Sequence, residues 1–320
     1  MQDKIYIMIK KYNIVHMSKI FSLILLSGFA FSSAFAQTEP MYSQYMYNMI
    51  AINPAYAGSR GATNLNYFGR SQWSGIPGAP TTHSLSLDGA TINGKFGLGV
   101  QLNNDQIGVF KTNGVNLMAS TRVKVSDNGV LSGGIQAGFM NQRKNFTDVV
   151  DIYDKNDPLF MLNENITDPT LGLGLFYNTD KFYVGASIPN ILKSSNFNTV
   201  SNNKEKNYNL FFTSGYVFDL NETVKLKPSA LMKIVRGAAV EFDLNVNFWL
   251  RDIIGLGMSY RTGDAIVGMA ELQLSKQLRI GYAYDYTTSD LRNIAGSNNE
   301  VMFRFEFGKE TKNIKSTRYF

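Results

Sequence analysis

The sequence predicts an all-β fold: a transmembrane antiparallel β-barrel of about 14 strands with a short N-terminal periplasmic helix or plug. Three observations predict it. Apolar and polar residues alternate with strict period two. Several alternating runs are about ten residues long, enough to cross a bilayer when tilted. An export signal precedes them.

The export signal comes first along the chain. Met17-Ser18-Lys19 forms a basic start, Ile20 to Phe31 an apolar core, and Ala34-Phe35-Ala36 a small-residue cleavage site that leaves Gln37 first. Residues 1–16 read as an upstream extension from a misplaced start codon. Residues 1–36 carry four lysines against one aspartate, so of the net charge of +6, +3 stays with the mature chain. That is too weak to argue for nucleic acid. No later stretch is long and apolar enough for a transmembrane helix. The chain has no cysteine, which excludes disulfides, thiolate chemistry, cysteine-based zinc sites and a lipoprotein anchor.

Residues 37–61 form the next unit. Met41, Tyr42, Tyr45, Met46, Met49 and Ile50 recur at helical spacing, and Asn53-Pro54 ends the run. This predicts a short amphipathic helix at the periplasmic mouth, or a plug that fills the lumen. Gly58 and Gly61 permit the turn into the first strand.

Residues 62–308 form the barrel, with strands expected to start near 62, 81, 95, 114, 129, 170, 181, 208, 222, 238, 252, 264, 276 and 300. Val240, Phe242, Leu244, Val246, Phe248 and Leu250 oppose Glu241, Asp243, Asn245, Asn247 and Arg251, with Trp249 the exception. Leu278, Ile280, Tyr282, Tyr284 and Tyr286 oppose Arg279, Gly281, Ala283, Asp285 and Thr287. One face suits lipid. The other suits a wet or plugged lumen. Gly97, Gly99, Gly172 and Gly174 mark lumen positions where a plug or backbone comes close. Arg70, Arg122, Glu241, Asp243 and Arg304 predict an internal salt-bridge lattice.

Connections near 126–129, 178–181, 219–222 and 273–276 are short, whereas 143–169, 189–207 and 287–299 are long. Short turns belong to the periplasmic side, which places both termini there, with residues 309–320 as a C-terminal periplasmic tail. The short connections at 235–237 and 261–264 depart from this pattern.

No catalytic constellation is found, so the chain does not read as an enzyme, and no cofactor or metal is expected. His83 is the only histidine of the mature chain and reads as an interfacial packing residue beside Leu85 and Leu87. Asp148, Asp151, Asp154, Asp157, Glu164 and Asp168 lack the glycine and spacing of a calcium loop and read as a solvated acidic loop.

Residues 42–82 carry an ordered motif block. It runs Tyr42-Ser43-Gln44-Tyr45-Met46-Tyr47-Asn48, then Asn53-Pro54-Ala55-Tyr56-Ala57-Gly58-Ser59-Arg60-Gly61, then Arg70-Ser71-Gln72-Trp73-Ser74-Gly75-Ile76, Gly78-Ala79-Pro80 and Thr81-Thr82. Gly296-Ser297-Asn298-Asn299-Glu300-Val301 stands ahead of the last strand. The chain resembles the PorP/SprF family of type IX secretion and gliding. The resemblance implies a fourteen-stranded outer-membrane barrel that supports export or surface anchoring of a specific secreted cargo, such as a large adhesin. Its implied partners are a cargo with a type IX C-terminal domain, secretion or motility machinery at the periplasmic face, and outer-membrane lipid. Tyr42, Gln44, Tyr45, Asn53, Pro54, Tyr56, Gly58, Arg60, Arg70, Gln72 and Trp73 become candidates for contacting a partner or plugging the lumen. Trp73 is expected at a strand end as an interfacial indole, with Arg70 and Gln72 on the polar face. The alternative function is a FadL-like or porin-like channel for small molecules, suggested by the strand number, the plug and Asn53-Pro54-Ala55.

Overall fold

The computed structural model describes residues 42–91, 93–149, 162–192, 208–235, 238–289 and 296–307. The export signal, the acidic positions 151, 154 and 157, and the tail from 308 onward lie outside the described residues.

The alternating runs fold as strands of a single antiparallel sheet closed on itself. The strands are β1 (Thr63–Ser71), β2 (Thr81–Ala90), β3 (Phe96–Ile107), β4 (Phe110–Lys124), β5 (Val130–Lys144), β6 (Glu164–Asn178) and β7 (Phe182–Ile188). Then come β8 (Asn209–Tyr216), β9 (Phe218–Asp219), β10 (Val224–Val235), β11 (Glu241–Leu250), β12 (Ile254–Arg261), β13 (Ala265–Gln273), β14 (Leu278–Thr287) and β15 (Asn298–Phe307). Each pairs with its neighbour, and β15 closes on β1 from Thr63↔Phe307 to Ser71↔Asn299.

β8 and β9 are one crossing. The register Ser229↔Gly215 continues unbroken as Leu226↔Phe218. The interruption falls opposite Pro228, which has no N–H to give to the ladder. The barrel therefore has fourteen crossings, as the alternation predicts.

The two faces separate as expected. Leu117, Phe139, Leu173, Leu244, Phe248, Tyr284 and Phe303 are exposed outward, where lipid covers them. Asn66, Arg70, Asp243, Asn245, Asp285, Glu300 and Arg304 are buried inward. Trp249, the exception to the alternation, also faces inward and is 1 % exposed. Its Nε1 donates to Glu271, and the Lys227 ammonium lies 6.0 Å from its ring centroid.

The two ends of the cylinder differ. At one end all connections are short: 91–95, 125–129, 179–181, 220–223, 251–253 and 274–277. At the other lie 72–80, 145–163, 189–208 and 288–297, together with the short 108–109, 236–240 and 262–264. β4 begins at Phe110 and β6 at Glu164, earlier than the expected 114 and 170. Above the lipid, outward positions of these strands are polar, so alternation no longer marks them. The loop expected over 143–169 shortens accordingly. Asp168 lies on β6, and Glu164 pairs with Lys144 at 2.7 Å. His83 faces outward with Leu85 and Leu87, and its Nδ1 lies 2.9 Å from the Tyr67 hydroxyl.

Candidate functional site

The segment 42–60 occupies the lumen along its length. The expected amphipathic helix is absent. In its place stand three 3-10 turns, Tyr45–Tyr47, Met49–Ala51 and Pro54–Tyr56. The expected stop at Asn53-Pro54 instead begins the third turn: the Asn53 side chain accepts from Ala55 N at 2.9 Å and Pro54 takes the first position. The reason is enclosure. A surface helix satisfies its backbone internally and shows one polar face to water. Here the wall surrounds the segment and supplies partners directly, so an internal ladder is not required. Of the two positions read from sequence, the lumen is the one observed.

At the long-loop end the wall presents a buried ionic cluster. The Arg70 guanidinium, from the penultimate residue of β1, pairs with Asp285 of β14 at 2.7 Å and Glu300 of β15 at 3.2 Å. Arg261 of β12 pairs with Asp243 of β11 at 2.9 Å. Three buried carboxylates thus face two guanidiniums, and the plug supplies the missing donors. Ser43 N donates to one Glu300 oxygen at 2.8 Å and Gln44 N to the other at 2.9 Å. The Ser43 hydroxyl donates to Asp285 at 2.7 Å. Buried carboxylates need this degree of satisfaction, because an unpaired charge away from water is strongly unfavourable.

The middle of the plug is held on both sides. Asn245 Nδ2 donates to the Tyr45 hydroxyl at 2.8 Å, and the Tyr47 hydroxyl to Asn247 Oδ1 at 3.3 Å. Arg304 donates to the Tyr47 carbonyl and to Asn66 Oδ1. On the opposite wall, Asn53 Nδ2 donates to the Leu175 carbonyl at 2.9 Å and Ser187 Oγ to the Ile52 carbonyl at 2.6 Å. At the short-turn end, Ser120 Oγ donates to the Ala57 carbonyl at 2.8 Å and Gly58 N to Asp88 at 2.8 Å. Arg60 pairs with Glu306. Gly58 and Gly61, with φ of 67° and 74°, then turn the chain into β1.

Close approach explains the lumen glycines. A Cβ at Gly97 would collide with the Ala57 carbonyl and Ser120 Oγ, and one at Gly174 with the Asn53 side chain. Gly99 faces Ile50 of the plug, whereas Gly172 faces the Pro189 carbonyl rather than the plug. We expect Gly97→Val to destabilise the folded barrel by roughly 1–3 kcal/mol, because the Ala57 backbone cannot swing aside as a side chain could. A lowered temperature for loss of the compact band in semi-native electrophoresis is the check; an unchanged temperature contradicts the close packing.

The predicted residues divide into two groups. Tyr42, Gln44, Tyr45, Asn53, Pro54, Tyr56, Gly58 and Arg60 belong to the plug, and Arg70 to its latch. Gln72 and Trp73 stand apart, in the 72–80 connection beyond β1. Gln72 N donates to the Pro80 carbonyl at 2.9 Å. Trp73 is half-buried with φ 51°, and its N–H donates to Asn298 Oδ1 at 3.0 Å. The connection clasps the entry to β15, where Ser74 N donates to the Ser297 carbonyl at 3.1 Å. The two motif blocks of the sequence, 42–82 and 296–301, are therefore one physical unit. Sequence reasoning did not single out Glu300, Asp285 and Arg261 as the latch. Asp285 and Arg261 were marked only by polar identity on lumen-facing positions, and Glu300 also by its place in the 296–301 block. Of the expected lattice, Asp243, Glu241 and Arg70 take part, whereas Arg122 reaches the Phe96 carbonyl at 3.3 Å.

A cavity of about 140 Å³ remains beside the plug, between Tyr42 and wall residues that include Gln101, Asn103, Asp105 and Gln136. Among the described residues no group of acidic or histidine side chains could hold a metal.

Comparison with solved structures finds other β-barrels. The monoaromatic hydrocarbon channel CymD aligns with a TM-score of 0.49 and 10% identity over 86% of this chain and 95% of its own. Omp33 of Acinetobacter baumannii gives 0.48 and 8% over 77% and 98%. A Pseudomonas aeruginosa FadL homologue gives 0.43 and 12% over 84% and 94%. At these values the likeness says nothing about what this chain binds. No curated protein sequence matches it. A family model described as "Type IX secretion system membrane protein PorP/SprF" matches residues 34–305, which contain every strand but the last two residues of β15, and the chain belongs to the PorP/SprF family.

Proposed function

We propose that this outer-membrane barrel acts by protein–protein contact, supporting export or surface retention of one secreted cargo that carries a type IX C-terminal domain. The observation that supports this over conduction is the plug. Segment 42–60 runs through the lumen and is hydrogen-bonded to the wall along its length, on opposite sides at its middle. A channel protein needs a continuous water path, whereas a docking protein needs a rigid, closed body. In this reading the short-turn end faces the periplasm and the secretion or motility machinery, and the long connections face outward, where a cargo is held.

Deleting the gene and comparing the secreted and surface proteomes tests the proposal. The expected result is loss of one large surface protein, restored by the wild-type gene. An unchanged secretome together with lost uptake of a small solute would replace it with the channel reading.

A further inference from the structure

β4, β5 and β6, of fifteen residues each, are the longest strands, and with their neighbour β3 they reach furthest at the long-loop end. On their outward face the last apolar row is Leu102, Val115, Phe139 and Pro169, which are register partners in turn. Leu102, Val115 and Phe139 are 44%, 47% and 64% exposed, as lipid-covered positions are in an isolated barrel.

Two residues further along, the row changes to Asn104, Asn113, Asn141 and Thr167, again register partners. Asn104 Nδ2 donates to Asn113 Oδ1 at 2.8 Å, and Asn141 Nδ2 donates to Thr167 Oγ1 at 2.9 Å and to Asn165 Oδ1 at 2.6 Å. Two residues beyond that, the row is Gln106, Lys111, Arg143 and Asn165. Lys111 and Arg143 are directly opposite each other and both exposed. Like charges so placed destabilise a sheet. Neither has a carboxylate partner among the described residues, in contrast to inward-facing Lys144, which pairs with Glu164. Their neighbours on the outward face, Gln106, Asn113, Asn141 and Asn165, are neutral, and Arg143 Nε donates to Asn141 Oδ1 at 3.1 Å.

Height identifies what neutralises them. A tilted strand climbs about 2.5 Å per residue along the membrane normal. The amide row therefore stands about 5 Å, and the cation pair about 10 Å, above the last apolar row. The polar layer on each side of the hydrocarbon core is about 5–8 Å deep, so the amide row lies within it and the cation pair at its outer edge, level with the headgroups. We propose that Lys111 and Arg143 bind a phosphate of a phosphorylated glycolipid in the leaflet on the long-loop side, with the asparagine row taking its sugar hydroxyls. In an outer membrane whose long loops face outward, that lipid is lipopolysaccharide. The identity of the leaflet rests on the orientation proposed above, whereas binding to the isolated lipid does not.

The full-length barrel, purified in detergent and stripped of lipid, is titrated with lipid A, with dephosphorylated lipid A and with phosphatidylglycerol, and bound lipid is counted by native mass spectrometry. Wild type and a Lys111→Gln/Arg143→Gln double variant are compared, with Lys124→Gln at the short-turn end as a control for general charge loss. The heat-dependent gel shift establishes that each is folded. The expected result is lipid A binding by wild type and Lys124→Gln, weakened about tenfold or more in the double variant, as loss of charge-assisted contacts implies. Equal binding by wild type and the double variant, or by dephosphorylated lipid A, overturns the phosphate site. Phosphatidylglycerol binding as tightly as lipid A overturns the glycolipid assignment.

Discussion

Deleting residues 42–58 is expected to convert the closed barrel into a conducting one, with discrete current steps in planar bilayers and none from the intact protein. A barrel of eight strands is filled by its own side chains, whereas sixteen or more leave an aqueous channel. With fourteen crossings this barrel lies near the open regime, and its lumen wall is rich in buried Asn, Ser and charged side chains that tolerate water. What closes it is the plug. Removal also withdraws Ser43 and Gln44 from the ionic cluster, but water entering the lumen can solvate Glu300 and Asp285 in their place. The wall should therefore survive. If the deletion variant inserts, keeps its heat-dependent gel mobility and still passes no current, the plug is not what seals the lumen.

The second large effect belongs to Glu300. Replacing it with Ala strips the acceptor from two buried backbone N–H groups, those of Ser43 and Gln44, and removes one of the two carboxylates on Arg70. Each orphaned buried donor costs about 1–3 kcal/mol, so the total loss is about 3 kcal/mol or more. Glu300→Gln keeps one oxygen as acceptor and should fall between. Both variants should lose the compact gel band at lower temperature, and the Ala variant should flicker open in bilayers. Stability of Glu300→Ala equal to wild type would show that the latch contributes nothing.

The barrel was legible because lipid imposes a simple rule on outward residues. Val240 to Leu250 could be assigned to faces without any knowledge of neighbours. Where lipid ends, so does the rule: Lys111, Asn113, Asn165 and Thr167 extend β4 and β6 with polar outward residues and left the strand starts misplaced. Trp249 broke the alternation because it fills a lumen position, where its indole donates to Glu271 of β13 and lies beside the Lys227 ammonium of β10, contacts that a one-strand pattern does not report. The plug was legible as a unit but not as a shape. Tyr42, Tyr45, Met46 and Met49 have helical spacing, yet Ser43, Gln44 and Asn48 between them are equally buried. A segment enclosed on all sides has no solvent face for periodicity to report. The lumen glycines, by contrast, announced a close neighbour correctly, the plug at Gly97, Gly99 and Gly174 and the backbone at Pro189 for Gly172, because only a missing side chain fits there.

The latch also constrains the order of assembly. Its three parts come from the plug, from the first strand through Arg70, and from the last strand through Glu300. The pairing of β1 with β15 is the seam that completes the cylinder. Ser43 lies beside the long-loop end of that seam, and Arg60 meets Glu306 near its other end. Once the wall is sealed the segment could enter only through an end of the cylinder, so the direct route has the earliest-synthesised part of the described chain lying inside the curling sheet as its final strand arrives. Zipping the seam and securing the plug become a single event, so the fold cannot be completed around an empty lumen without forgoing the contacts that lock its own edge.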